Sequence, residues 1–397
     1  DEKGMEVESG LHRFLGFYEA LPDLLQRAHV NLDKILHWED EIEIKLGNDQ
    51  PDAVFGASLL HKPLQTLGGV LGNNDFLNLK DKAQLAHFMA AGLVQLHKDA
   101  VELDRYSVQD WADKHNVPEQ AVARAIKPFT EGVFFLSPKE HSAYVFFKLI
   151  EHAMKRPHKI RVGAFMGGMS EVMIAPIANY IEANGGEIIT DAAVTSLVPD
   201  KKTGNWIVET EWSTIEAKRI VLATSLKSAQ NLLRPLYAND EWFQPFLSLT
   251  SHSAVTFQIE LDRPAMDVDR TTFAPTTPLA SFAEQSRTTF RGSKGRLSVI
   301  FARPKEYIDK SSGQLLKEFL EHARVIGLDV GEIIDYRKIA HPHDFYSLSP
   351  GDDSKRPTQV TPIPNLFLAG DYTKQDFMAT MEGAVISGER AAEAILA

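Results

Sequence analysis

The chain contains no cysteine in its 397 residues. That absence excludes a disulfide scaffold, a thiolate nucleophile, cysteine-held zinc and iron–sulfur clusters. No apolar run is long and uncharged enough to be read as a transmembrane helix. An excess of positive charge is also missing: 42 lysines and arginines stand against 54 aspartates and glutamates, a net charge of −12. Gripping nucleic acid needs a cationic face that neutralises phosphates, so nucleic acid is not an expected partner. There is no strand-borne G-x-G-x-x-G fingerprint and no Walker A motif. Leu67-Gly68-Gly69-Val70-Leu71-Gly72 imitates the fingerprint, but no strand leads into it and it reads as a loop, as does the whole of 62–74.

Hydrolytic and metal chemistry are equally thin. Neither G-x-S-x-G nor H-E-x-x-H occurs. The 14 histidines are scattered, with only His341 and His343 close together, and they read as surface or packing residues. No metal site is expected. Ser170, after Gly167-Gly168-Met169, reads as a helix start rather than a nucleophile. The opening Asp1-Glu2-Lys3-Gly4 has no signal-peptide character, and the segment after it reads as the middle of a domain.

What is present suits a globular protein with a real core: 44% hydrophobic and 24% charged residues. At roughly 100–200 residues per domain, two or three structural units are expected. Alternation predicts a short strand at 5–8 and another across 38–46, and a helix is expected over 18–28. Apolar residues at helical spacing predict a helix over 78–101, and Ser107 with Asp110 predicts the next one. Ser137-Pro138-Lys139-Glu140 reads as a further helix start, so 78–155 forms a helical block. A helix over 171–184 should stop at Gly185-Gly186. Short strands are expected at 187–190, 193–197, 206–210, 213–217 and 219–224, then a mixed region at 250–348 with one helix near 314–326.

The last segment has the sharpest local logic. A buried strand, 365–369, stops at Gly370-Asp371; an irregular stretch comes next, and then a helix over 381–396. A glycine lets a ligand approach the backbone, and the unpaired amides of a helix start supply donors and partial positive charge. Gly370, Asp371 and the amides of Met381, Glu382, Gly383 and Ala384 would make such a site. The alternative is a packing junction in which Gly383 and Gly388 let the helix meet the sheet. The phenylalanines Phe129, Phe134, Phe135, Phe146, Phe147 and Phe165 read mostly as core, with room for an apolar cavity. Phe88, Leu93 and Leu96 fit either a docking face or buried helix packing.

The terminal segment resembles a known motif. Asn365-Leu366-Phe367-Leu368-Ala369-Gly370-Asp371-Tyr372-Thr373-Lys374-Gln375, with Met381-Glu382-Gly383-Ala384 and Ser387-Gly388, closely resembles the FAD-binding end of plant and cyanobacterial-type phytoene desaturases. These belong to the amine-oxidase-like flavoproteins. Glu8-Ser9-Gly10-Leu11-His12 through Gly16 and Tyr18 is similar to the stretch just after that family's first nucleotide-binding unit. Asn73-Asn74 through Ser107-Val108-Gln109-Asp110-Trp111 to Phe146, with Met173, Pro176 and Gly185-Gly186-Glu187, is similar to its helical substrate region. Pro350-Gly351, Arg356-Pro357 and Thr361-Pro362 also fit. The likeness spans essentially the whole chain, and its Tyr-Thr-Lys-Gln variant leans toward the desaturase branch.

The resemblance implies an α+β protein with a Rossmann-like (α/β) FAD-binding domain built from discontinuous segments and a second β-sheet/helical substrate domain. Residues 1–15, 156–248 and 346–397 would form the first; 16–155 and 249–345 would form the second. It implies removal of hydride from a long isoprenoid such as phytoene, with FAD as cofactor and a quinone-like acceptor at a membrane surface. The protein would be peripheral to a membrane or cytoplasmic, with a plastid or cyanobacterial membrane as the setting if the carotenoid reading holds. Asp371 would lie near the phosphate–ribityl chain, the 381–384 turn at the flavin's pyrimidine edge, and Val194 would offer its backbone to adenine. Phe146 and Phe165 would line an apolar tunnel, and Arg161 would make a polar contact near substrate or flavin; no acid–base residue is implied. The family's opening strand, G-x-G-x-x-G and helix would precede Asp1. Rival readings keep the flavin but change the substrate, to a squalene-related dehydroxylation, an isomerisation or an amine oxidation, or drop it for a flavin-free lipid-binding relative. The sequence leaves oligomeric state open.

Overall fold

Several helices in the first half of the chain begin where a short polar side chain precedes an apolar run. In this computed structural model, which describes residues 4–39, 41–48, 50, 52–56 and 75–397, Asn78 accepts the Asp81 amide at 3.0 Å and opens the helix Leu79–Lys98. Ser107 and Asp110 form a reciprocal capping box at the start of Val108–Lys114. The loop expected over 62–74, with its glycine-rich stretch, lies outside the described residues.

The chain divides into two units. The larger comprises Asp1–Tyr18, His29–Pro176 and Ser253–Pro342; the smaller comprises Glu19–Ala28, Ile177–His252 and His343–Ala397. These divisions fall at other residues than the boundaries read from the sequence. The start of the chain sides with the larger unit because its strand Arg13–Leu15 pairs antiparallel with Val162–Phe165. The helix Ala20–Arg27 sides with the smaller, held there by Glu382 and Glu389.

In the larger unit, Val162–Phe165 is the central strand of a three-stranded sheet, flanked by Arg13–Leu15 and Leu36–Glu39. A second sheet of seven strands runs Ile333–Tyr346, Ser251–Leu261, Gly295–Phe301, Leu279–Glu284, Thr272–Phe273, Glu41–Ile44, Ala53–Gly56. The single strand expected over 38–46 is therefore two strands in two sheets. The strand expected at 5–8 is irregular backbone. In place of a ladder it has isolated contacts: Glu8 accepts the Met169 amide at 2.8 Å, and the Glu6 carbonyl accepts from the Arg296 guanidinium.

Two cores fill this unit. The helical one gathers Phe88, Leu96, Trp111, Val122, Phe146 and Phe147. The other packs the helix Ser312–Val325, through Leu315, Phe319 and Ala323, on Val255, Phe257 and Ile259 of the large sheet. Pro138–Glu140 forms a turn rather than a helix start. The following helix, Ala143–Lys155, begins at Ser142, whose hydroxyl also donates to Asp104 at 2.6 Å.

In the smaller unit, Val194–Pro199, Trp206–Thr210 and Thr214–Ala217 form an antiparallel meander. Residues 187–190 are exposed and irregular where a strand was expected. Ile220–Leu222 and Leu366–Leu368 pair in parallel, Leu366 opposite Ile220 and Leu368 opposite Leu222. Gln230, on the helix Leu226–Tyr237, donates to the carbonyls of Phe246 and Leu249 at 2.9 and 2.8 Å, tying the helix Phe243–Ser248 into place.

Candidate cofactor-binding site

The strand Leu366–Leu368 ends by handing its hydrogen bonds to a helix. The Ala369 amide still donates to Leu222 at 3.0 Å, but the next amide, of Gly370, donates to the Ser387 hydroxyl at 2.7 Å. Ser387 sits on the helix Met381–Leu396, so this one bond fastens strand end to helix. Gly370 adopts φ +142°, which L side chains rarely adopt. The chain then turns sharply, Thr373 donating both amide and hydroxyl to the Gly370 carbonyl at 3.0 and 2.8 Å.

Asp371 lies just past that glycine. Part of its surface stays open, yet its carboxyl sits deep enough that burial pushes it up to about 6; Asp344 adds to the rise, while Arg356 pulls the other way. Tyr372 is fully buried, its ring stacked on Phe246 at 5.8 Å. Its hydroxyl meets no hydrogen-bond partner among the described residues. Burial, with Asp371 alongside, pushes that hydroxyl far above the usual phenol range.

The helix start is prepared by Thr380, whose side chain accepts the Gly383 amide at 3.1 Å and donates to the Phe377 carbonyl at 2.8 Å. The amides of Met381 and Glu382 precede the first intrahelical bond, as those of any helix start do. Gly383 is buried, and a Cβ there would stand 2.1 Å from the Phe377 carbonyl oxygen. Gly388 has nothing within 4 Å of such an atom, so it does not serve as the packing glycine suggested by its position. Gly383 does pack closely, but against the irregular segment before the helix.

Glu382 is placed differently from the expectation. Its carboxylate accepts the amides of Glu19, Ala20 and Leu21 at 2.7, 2.8 and 2.8 Å, capping the helix Ala20–Arg27. A carboxylate occupied by that helix start leaves Glu382 only its backbone N–H for a ligand. Ala384 is exposed and Met381 half-buried. Val194 lies at the end of the meander, opposite Thr210, beside a register shift that interrupts the ladder.

The three residues expected around substrate are in the larger unit, and they do not form one lining. Phe146 is sealed among Phe88, Phe147 and His141, with ring centroids at 6.2, 5.2 and 6.4 Å. It is a core residue, because the helix Ala143–Lys155 turns its apolar face inward. Phe165 lines a small cleft with Glu8, Gly10, His12, Met169 and Gln285. The Arg161 guanidinium lies over the Trp38 ring at 3.6 Å.

Sequence reasoning placed Arg356 in the family likeness but missed its role as a brace of the Asp371 loop. It is buried, and its guanidinium donates to the carbonyls of Tyr372, Thr373 and Gln375. An arginine inside a Gly/Pro-rich stretch otherwise made of turns was the available signal.

A nucleotide cofactor with a sugar-alcohol chain needs backbone donors, a carboxylate for its hydroxyls and close backbone approach. The amides at 381 and 382, the desolvated Asp371 carboxyl and the buried Gly383 supply these, so the residues fit FAD. Parallel strand, glycine–aspartate turn and helix start together suit a cofactor-binding protein of mixed α+β architecture. The chain belongs to the flavin containing amine oxidoreductase family, whose model matches residues 1–396. It is an FAD-dependent oxidoreductase.

Its sequence is 27% identical to a 15-cis-phytoene desaturase of Synechococcus elongatus, over 100% of this chain and 87% of that protein. It is 26% identical to the chloroplastic and chromoplastic 15-cis-phytoene desaturase of Solanum lycopersicum, over 100% of this chain and 70% of the other. In fold it is similar to an oxidoreductase from Methanosarcina mazei, with a TM-score of 0.72 at 16% identity, covering 98% of this chain and 90% of that one.

Proposed function

We propose that this flavoenzyme is a desaturase that removes two hydrogens from a long apolar isoprenoid of the phytoene type. The observation that carries this reading is the likeness to phytoene desaturases along the entire chain, joined to a loop that fits FAD. The smaller unit is the FAD-binding domain, and the larger unit supplies the substrate side. FAD, when bound, supplies the hydride acceptor that an unactivated C–C bond requires. The chain's residues bind and orient. Asp371 accepts hydroxyl hydrogens of the ribityl chain, for which its ionised form at neutral pH is suited. The amides of Met381 and Glu382 would face the pyrimidine edge, with Gly383 and Ala384 at the same turn; the Gly383 amide is taken up by the Thr380 side chain. The interrupted ladder at Val194 leaves backbone groups for adenine.

On the substrate side, Phe165 and Arg161 are the candidates, while Phe146 acts through the core. A quinone-like molecule receives the electrons, and the apolar substrate draws the protein to a membrane surface, in a plastid or cyanobacterial setting. Among the described residues no helix is long and apolar enough to cross a membrane. The test is anaerobic: FAD-loaded protein is mixed with phytoene in liposomes and the flavin absorbance is followed. Bleaching is expected, restored by a quinone. Stable colour with phytoene, in protein that does bind FAD, refutes the substrate and leaves the cofactor standing.

A further inference from the structure

Between the strand end at Ala369 and the helix start at Met381, the loop has no ladder or helix to fix it. Its carbonyls must still be satisfied, because buried backbone oxygens without donors are costly. One cation meets three of those carbonyls. The guanidinium of Arg356, 4% exposed, donates through Nε to the Tyr372 carbonyl at 3.4 Å and through Nη2 to those of Gln375, at 3.0 Å, and Thr373. Its Nη1 donates to Asp353 at 2.8 Å, and its plane lies 5.3 Å from the Tyr346 ring. Gln375 adds to the bracing by donating to the Asp371 carbonyl at 2.8 Å, and Gln359 and Arg390 hold the Lys374 carbonyl at 3.0 and 2.8 Å.

Several peptide planes turned onto one planar fork is a stringent arrangement. Only a delocalised guanidinium offers donors in that geometry; an ammonium is a point charge on a flexible stem. Deletion would free the carbonyls of Tyr372, Thr373 and Gln375, just after Asp371, to find water, and the loop would lose its single conformation. The same cation faces the Asp371 carboxyl and favours its charged form.

We propose that Arg356 is a positioning residue for FAD: it sets the Asp371–Gln375 backbone in the conformation that binds the cofactor without touching the cofactor itself. This rests on the assignment of that loop to FAD. The contact with Asp353 is secondary. That partner is an exposed-side anchor, whereas the carbonyl contacts shape the loop.

The test measures FAD affinity of the full chain by flavin-fluorescence titration, alongside amide hydrogen exchange of the FAD-free protein. Arg356→Ala and Arg356→Lys should each weaken FAD binding roughly tenfold or more. Exchange should quicken at residues 371–377 while the helix Ser312–Val325 stays protected. Guanidinium ion at millimolar levels should restore binding in Arg356→Ala, where sodium chloride of equal ionic strength does not. Asp353→Asn should bind FAD within about twofold of the parent. Parent-like affinity in the lysine variant overturns the proposal, as does uniform loosening of the whole chain without guanidinium rescue. Failure of the parent protein to bind FAD overturns the cofactor assignment of the loop, and this proposal with it.

Discussion

The carboxylate of Glu382 accepts the backbone N–H of Leu21 at 2.8 Å across 361 positions of sequence. With the amides of Glu19 and Ala20 it gives the helix Ala20–Arg27 an N-cap that its own sequence lacks, since Glu19 makes no capping bond. The negative charge also faces the positive end of the helix dipole. Glu382→Ala leaves three donors to be satisfied otherwise and should cost about 2–4 kcal/mol. Glu382→Gln keeps one acceptor and should lose less. Urea unfolding measures both, and hydrogen exchange should quicken at residues 19–21. An alanine variant with the parent's midpoint contradicts the capping role.

Two glycines on the terminal helix should respond oppositely to the same change. Gly383→Ala places a methyl 2.1 Å from the Phe377 carbonyl oxygen, which is backbone and cannot swing aside. Overpacking of this kind costs about 1–3 kcal/mol or more. Gly388→Ala meets open space and gains helix propensity, about 0.5–1 kcal/mol. Thermal melts should separate the two in opposite directions. Equal melting temperatures would refute the close approach at Gly383.

Much of this architecture is local and so legible in the sequence. The helix Met381–Leu396, the hairpin strand Trp206–Thr210 and the capping box at Ser107 lie where periodicity and capping residues put them. Features decided by partners far along the chain were not legible. The alternating run over 38–46 shows β character, but nothing in it tells that Leu36–Glu39 pairs with Val162–Phe165 while Glu41–Ile44 pairs with Ala53–Gly56. An apolar-polar alternation at 5–8 finds no strand among the described residues to complete a ladder. Around the candidate site, Gly370, Asp371 and the helix start follow from strand–turn–helix logic. The use of Glu382 by a helix hundreds of residues away, and the gathering of loop carbonyls by Arg356, are tertiary facts without a local signature.

The larger unit holds a buried charge triad. Arg13 pairs with Glu39 at 2.5 Å and with Asp269 at 2.6 Å, all three nearly inaccessible. Burial raises the Glu39 carboxyl, and Asp269 adds to that, against the pull of Arg13. Arg13→Met removes the cation and leaves two carboxyls facing each other in low dielectric. A loss of about 3–5 kcal/mol is expected at pH 8. The loss should shrink at pH 5, where a carboxyl with a raised pKa takes up a proton and relieves the repulsion. Urea titrations at the two pH values measure this. A loss independent of pH would mean that packing, not charge, dominates at Arg13.

Asp371 should make the stability of the FAD-free protein fall as pH rises. Its carboxyl is pushed up from 3.8 to about 6, so the folded state holds the proton more tightly than the unfolded chain does. The stabilisation from that proton is fully present below the unfolded value and is lost as pH climbs through about 6. Above that, a desolvated carboxylate costs at most about 3 kcal/mol, from two pH units at about 1.4 kcal/mol each. Asp371→Asn keeps the shape and drops the charge. Its stability advantage over the parent should grow between pH 5 and pH 7.5 in paired urea unfolding curves, and its affinity for FAD should fall because the ribityl hydroxyls lose a charged acceptor. A stability difference that stays flat across that range would place the Asp371 carboxyl in water rather than in the loop's interior.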